Sequence, residues 1–75
     1  MKKINVKVNS ITLDLNGSIM SNVRLAINHP EAYIDSYAGY YKFMYKENNG
    51  ELNYSFCTKS KKEMYVYMKG LLNFR

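Results

Sequence analysis

Apolar and polar residues alternate strictly through two stretches of the chain, and elsewhere the apolar spacing lengthens toward that of a helix. In the first stretch Ile4, Val6 and Val8, then Ile11, Leu13 and Leu15, hold every second position, with Lys3, Asn5, Lys7, Thr12 and Asp14 between them. Successive side chains point to opposite faces of a strand, so this pattern predicts a hairpin with an apolar inside. A turn at Asn9-Ser10 pairs Val8 with Ile11, Val6 with Leu13 and Ile4 with Leu15.

The second stretch places Tyr41, Phe43 and Tyr45 before, and Leu52, Tyr54 and Phe56 after, the segment Glu47-Asn48-Asn49-Gly50. Asn-Gly tolerates the positive φ angles of a tight hairpin turn, which would set Phe43 opposite Phe56 and Tyr45 opposite Tyr54. A four-residue loop would instead set Phe43 opposite Tyr54 and Tyr45 opposite Leu52. In both registers the aromatic set shares one buried face, and cross-strand aromatic pairs contribute about 0.2–1 kcal/mol each. Lys42, Met44, Lys46, Asn53, Ser55 and Cys57 fall on the wet side.

Asn16-Gly17-Ser18 breaks the first alternation. Ile19, Met20, Val23, Ala26 and Ile27 then recur at helical spacing with Ser18 as N-cap, although Ile19, Val23, Leu25 and Ile27 also alternate as a strand would; the helix is the preferred reading. Pro30 suits the first turn of a new helix, Glu31 its positive end, Tyr33, Ile34 and Tyr37 its apolar side, and Gly39 its stop, which predicts a short helix over 30–38. Ser60-Lys61-Lys62-Glu63 is a capping box, and Met64, Tyr67, Met68, Leu71 and Leu72 follow as a buried stripe. Gly70 either ends that helix or is traversed at a cost near 1 kcal/mol. The expected fold is therefore α+β: an antiparallel sheet of two β-hairpins (about 3–8/11–15 and 40–46/51–57), with a C-terminal helix (about 61–69) and a helical middle segment packed on one face.

At 75 residues the chain is one domain. It buries only about 60–65% of its unfolded surface, so a homodimer is open to it. Its single cysteine, Cys57, staples nothing, and a reducing, cytoplasmic setting fits. The N-terminal lysines precede an alternating pattern rather than the apolar run of a signal peptide, and no segment is long and apolar enough for a membrane span. The net charge of +5 divides as +3 over residues 1–8, −2 over 9–58 and +4 over 59–75. Two basic ends that met in space would attract an anionic partner.

Candidate chemistry is sparse. His29 and Cys57 form the one conceivable dyad, but His29 before a proline reads as a turn residue and Cys57 at a strand end as a small filler. Asp14, Glu31, Asp35, Glu47, Glu51 and Glu63 follow no metal-ligand spacing, and Gly17, Gly39, Gly50 and Gly70 are isolated, so neither metal nor cofactor is expected. A non-enzymatic binding module remains. Tyr40, Met44, Tyr65, Val66 and Phe74 are left over after the core is filled, and the expected partner-binding set is Tyr40, Lys42, Met44, Lys46, Lys62, Tyr65 and Lys69. The expected partner is a protein or a nucleic-acid-processing complex. Direct binding of single-stranded nucleic acid is the alternative, weakened because stacking aromatics need an open face and this aromatic face is expected to be buried. RNP and GxxG motifs are absent, and a helix-turn-helix over 19–38 would carry only Arg24 as a base-reading cation. The Lys, Asn, Ile and Tyr bias suits an AT-rich bacterial or phage accessory regulator or inhibitor.

Overall fold

Alternation builds the first element as expected. The computed structural model describes residues 2–73, in which β1 (Asn5–Val8) and β2 (Ile11–Asp14) pair Val8 with Ile11 and Val6 with Leu13. The Leu15 N–H donates to Ile4 C=O at 2.8 Å, extending the same register. The turn residues Asn9 and Ser10 both take positive φ (50° and 68°), the geometry whose twist matches the flanking strands.

The middle segment is helical, as α1 (Ser18–Ile27), with Met20 and Val23 buried. Ser18 is its first residue rather than its cap; Gly17 stands at that position, tied by its N–H to Asp14 C=O at 2.9 Å. Asn28 closes the helix in the left-handed conformation.

The expected helix over 30–38 is instead β3 (Tyr33–Tyr37), a correction with a clear cause. Ala38 and Gly39 both take positive φ (54° and 81°) and form a two-residue turn into β4 (Tyr40–Lys46), so Gly39 serves a hairpin and not a helix end. The pairing runs from Tyr37 opposite Tyr40 to Tyr33 opposite Met44. It points Ile34 and Ser36 inward, and Tyr33, Asp35 and Tyr37 outward, which is an alternating strand that also satisfies a coarse helical spacing.

β5 (Leu52–Thr58) completes a three-stranded sheet in the order β3-β4-β5, separate from β1-β2. The fold is thus α+β with two antiparallel sheets, where the two hairpins were expected to share one. The outward backbone groups of β3 are taken by side chains and leave no ladder for another strand: Asn16 Oδ1 accepts the Ile34 N–H (2.7 Å) and Asn16 Nδ2 donates to Ile34 C=O (2.9 Å).

α2 (Lys61–Asn73) runs through Gly70 and four residues past the expected end. Half of its capping box forms as expected, with the Glu63 N–H donating to Ser60 Oγ (3.2 Å). The other half passes through Thr58, whose Oγ1 bonds the Glu63 carboxylate and accepts the Ser60 N–H. Met64 and Met68 reach a core of Ile4, Val6, Leu15, Met20, Val23, Ala32, Ile34 and Phe43. Both helices lie on the inner face of the three-stranded sheet, where Phe56 stacks on Tyr67 at 4.5 Å and Phe43 meets the same ring edge-on. Phe74, counted above among the surplus apolar residues, lies outside the described residues.

Candidate functional site: the open face of the three-stranded sheet

The register of β4 against β5 decides what this face carries. Phe43 lies opposite Phe56, as the tight-turn register required, but next along the ladder Met44 lies opposite Tyr54, Tyr45 opposite Asn53 and Lys46 opposite Leu52. Ser55 is the extra residue of a β-bulge. Glu47 and Glu51 close the loop with an N–H to C=O bond of 2.8 Å, and Gly50 supplies the positive φ (86°) that this longer turn needs. One inserted residue reverses the faces of everything beyond it. Leu52 and Tyr54, expected inside, therefore stand on the outer face, while Ser55 turns inward and its Oγ bonds the Tyr67 hydroxyl at 2.7 Å.

No helix covers the outer face. By pairing and parity it holds Tyr33, Asp35 and Tyr37 from β3, Tyr40, Lys42, Met44 and Lys46 from β4, and Leu52, Tyr54 and Cys57 from β5. Tyr37 is 78% exposed, Tyr54 48% and Tyr40 41%. Ammonium groups sit against two of these rings: Lys42 Nζ is 4.7 Å from the Tyr54 centroid, and Lys59 Nζ is 5.2 Å from that of Tyr40. Three lysines face one carboxylate, Asp35, whose Oδ1 is occupied by the Ser36 N–H at 3.0 Å. The result is a cationic, aromatic platform.

The edges of the sheet are guarded while its face is not. On β3 the outward groups belong to Ile34 and Ser36; Asn16 holds the first, and Asp35 Oδ1 and Lys2 Nζ hold the second. On β5 the Tyr54 N–H is taken by Asn53 Oδ1 at 2.8 Å, and the bulge interrupts the ladder. Side-chain caps and bulges of this kind block strand addition.

The expected partner-binding residues divide into two groups. Tyr40, Lys42, Met44 and Lys46 all stand on the open face. Lys62, Tyr65 and Lys69 belong to α2, in the layer behind the sheet. Sequence reasoning missed Tyr37, Tyr54 and Lys59. An Ala-Gly pair between Tyr37 and Tyr40 was the available signal for the first, whereas nothing in the Asn53–Phe56 segment announces a bulge.

Behind the sheet, a cavity of about 300 Å³ between the C-terminal parts of both helices is lined by Ile27, His29, Phe43, Tyr45, Tyr67 and Leu71, with Ser55 at its side. Its polar groups are committed. His29 Nδ1 donates to Glu31 Oε2 at 3.0 Å, and the same oxygen accepts the Lys46 N–H at 3.0 Å. That backbone bond first, with the His29 contact adding to it, holds the Glu31 carboxyl below its ordinary value near 4.5. The Glu47 carboxylate, hydrogen-bonded to the Tyr45 hydroxyl, pushes that phenol upward. Cys57 stands on the outer face, so the sheet separates it from His29. Among the described residues no three His, Cys, Asp or Glu side chains gather closely enough to hold a metal ion, and no helix is long and apolar enough to cross a membrane.

No family model, curated protein or solved structure matches the chain.

Proposed function

We propose that the protein is a non-enzymatic binding module whose open sheet face takes single-stranded nucleic acid, with bases stacked on Tyr37, Tyr40 and Tyr54 and phosphates drawn to Lys42, Lys46 and Lys59. The observation that carries this reading is the placement of Tyr54 beside Lys42 on the uncovered face. It removes the objection raised by the sequence, because the aromatic set is shared between the two faces and part of it is open. Energetics favour exchange of partners. An exposed lysine over an aromatic ring contributes about 0.5–1 kcal/mol, and a stacked base about 1–3 kcal/mol. A base can therefore displace the ammonium from the ring, and the released charge is then free to neutralise a phosphate.

Fluorescence anisotropy with a labelled oligo-dT strand and its duplex tests the proposal. The single strand should bind more tightly than the duplex, and Tyr40→Ala or Tyr54→Ala should each weaken binding by about 5- to 150-fold at unchanged melting temperature. Lys42→Gln should lower the salt dependence of the affinity. Absence of single-strand binding at low salt, or a preference for duplex, would contradict it.

A further inference from the structure

One lysine from each basic end of the chain, Lys7 of β1 and Lys62 of α2, meets the other at a hollow behind the sheet. Lys62, Val66 and Lys69 recur at helical spacing down the outward side of α2, and Val66 is 67% exposed. This hollow, of about 280 Å³ on one flank of the stripe, is lined by Lys62, Tyr65 and Val66 together with Lys7 and Val8 of β1 and Asn9 of its turn. A second hollow, of about 470 Å³, shares Lys62 and Val66 and reaches Phe56 and Tyr67 on the other flank. Glu63, the one acidic side chain lining either hollow, has its carboxylate held by Thr58 Oγ1. An exposed valine thus lies between two apolar hollows with cations around it.

We infer that this α2 face docks an acidic, amphipathic helical segment of a partner protein. A second copy of the chain is disfavoured, since a symmetric contact would set Lys7, Lys62 and Lys69 against themselves at an electrostatic cost. Nucleic acid would neutralise the lysines but leave Val66 and the hollows beside it in water. An acidic amphipathic helix does both: an apolar side chain covers Val66 and enters a hollow, while carboxylates meet the lysines. Lys62 and Lys69 are separated by about 10 Å along the helix axis, at 1.5 Å per residue. Two glutamates seven residues apart, bracketing a leucine, match that spacing. The occupied surface lies on the side of the molecule away from the tyrosine platform, so one protein could hold both partners together.

The test is an ¹⁵N NMR titration of the full chain with a synthetic helical peptide carrying that Glu and Leu spacing, beside a control peptide with the glutamates replaced by lysine. The acidic peptide should shift the amides of Lys7, Lys62 and Val66 and leave those of Tyr37 and Tyr54 in place. The Lys62→Glu, Val66→Glu double variant should keep the wild-type melting temperature and lose at least tenfold in affinity for the acidic peptide. The inference is overturned by an absence of shifts, by equal binding of the lysine peptide, by shifts confined to the sheet face, or by displacement of the peptide from α2 by an oligo-dT strand.

Discussion

Asn16 is where the two sheets are joined. Its carboxamide occupies both backbone groups of Ile34 and also donates to Lys2 C=O at 2.8 Å, which fastens the β1-β2 hairpin to the edge of β3 without a strand ladder. Its own N–H is held in place by Asp14 Oδ1, which also accepts the Ile4 N–H, so the side chain enters that contact already oriented. Glu31 does a similar task at the other end of the molecule, linking the His29-Pro30 turn to the last residue of β4. Because its carboxyl is held below the ordinary value near 4.5 in the folded state, its contribution is complete above that pH and is lost as the pH falls through the depressed folded value. Solvent exposure keeps the effect small. Glu31→Gln should therefore lower the urea midpoint at pH 7, with the gap to wild type narrowing at pH 3. An equal gap at both pH values would remove the charge from this account.

At the scale of elements, each hairpin is set by its turn, and the three turns differ in how well their residues suit them. Asn9 and Gly50 are residues that accept positive φ, but Ser10 and Ala38 are not, and a side chain bearing Cβ at φ 54°, as at Ala38, carries strain of roughly 1 kcal/mol. Asn tolerates that conformation, and Asn-Gly is the preferred pair for such a turn. Ala38→Asn should stabilise the domain by about 0.5–1 kcal/mol in urea unfolding without altering ligand affinity, and destabilisation would contradict the turn assignment. The same turn explains what could be read in advance. The register of β1-β2 was legible because its alternation is unbroken, although both strands are shorter than expected and Ile11, assigned to the inside, is 61% exposed. α2 was legible from its capping box and methionine stripe, up to a C-terminus that Gly70 left open. β3 was not, because Tyr33, Ile34 and Tyr37 fit a helical stripe when the outward tyrosines are assumed to be buried. The bulge at Ser55 was invisible for a different reason: with an aromatic residue on both sides of it, either face could have been the inner one.

For the whole molecule, this single shift in register creates the platform. Four of the seven expected partner-binding residues share the open face, and the bulge adds Tyr54 to them while β3 adds Tyr37. The other three ride on α2, which makes two surfaces where the sequence suggested one. The inner face of the sheet is covered by helices and its β3 edge is capped by side chains, whereas the open face carries no such cover. The tyrosines of that face are proposed to stack against bases, and ring resonances report stacking directly. With all eight tyrosines selectively labelled, addition of oligo-dT should move the ring signals of Tyr37, Tyr40 and Tyr54 upfield and leave those of Tyr65 and Tyr67 unchanged. If the open-face rings stay still, or if Tyr65 moves in their place, the sheet face is not the nucleic-acid site and the central claim is wrong.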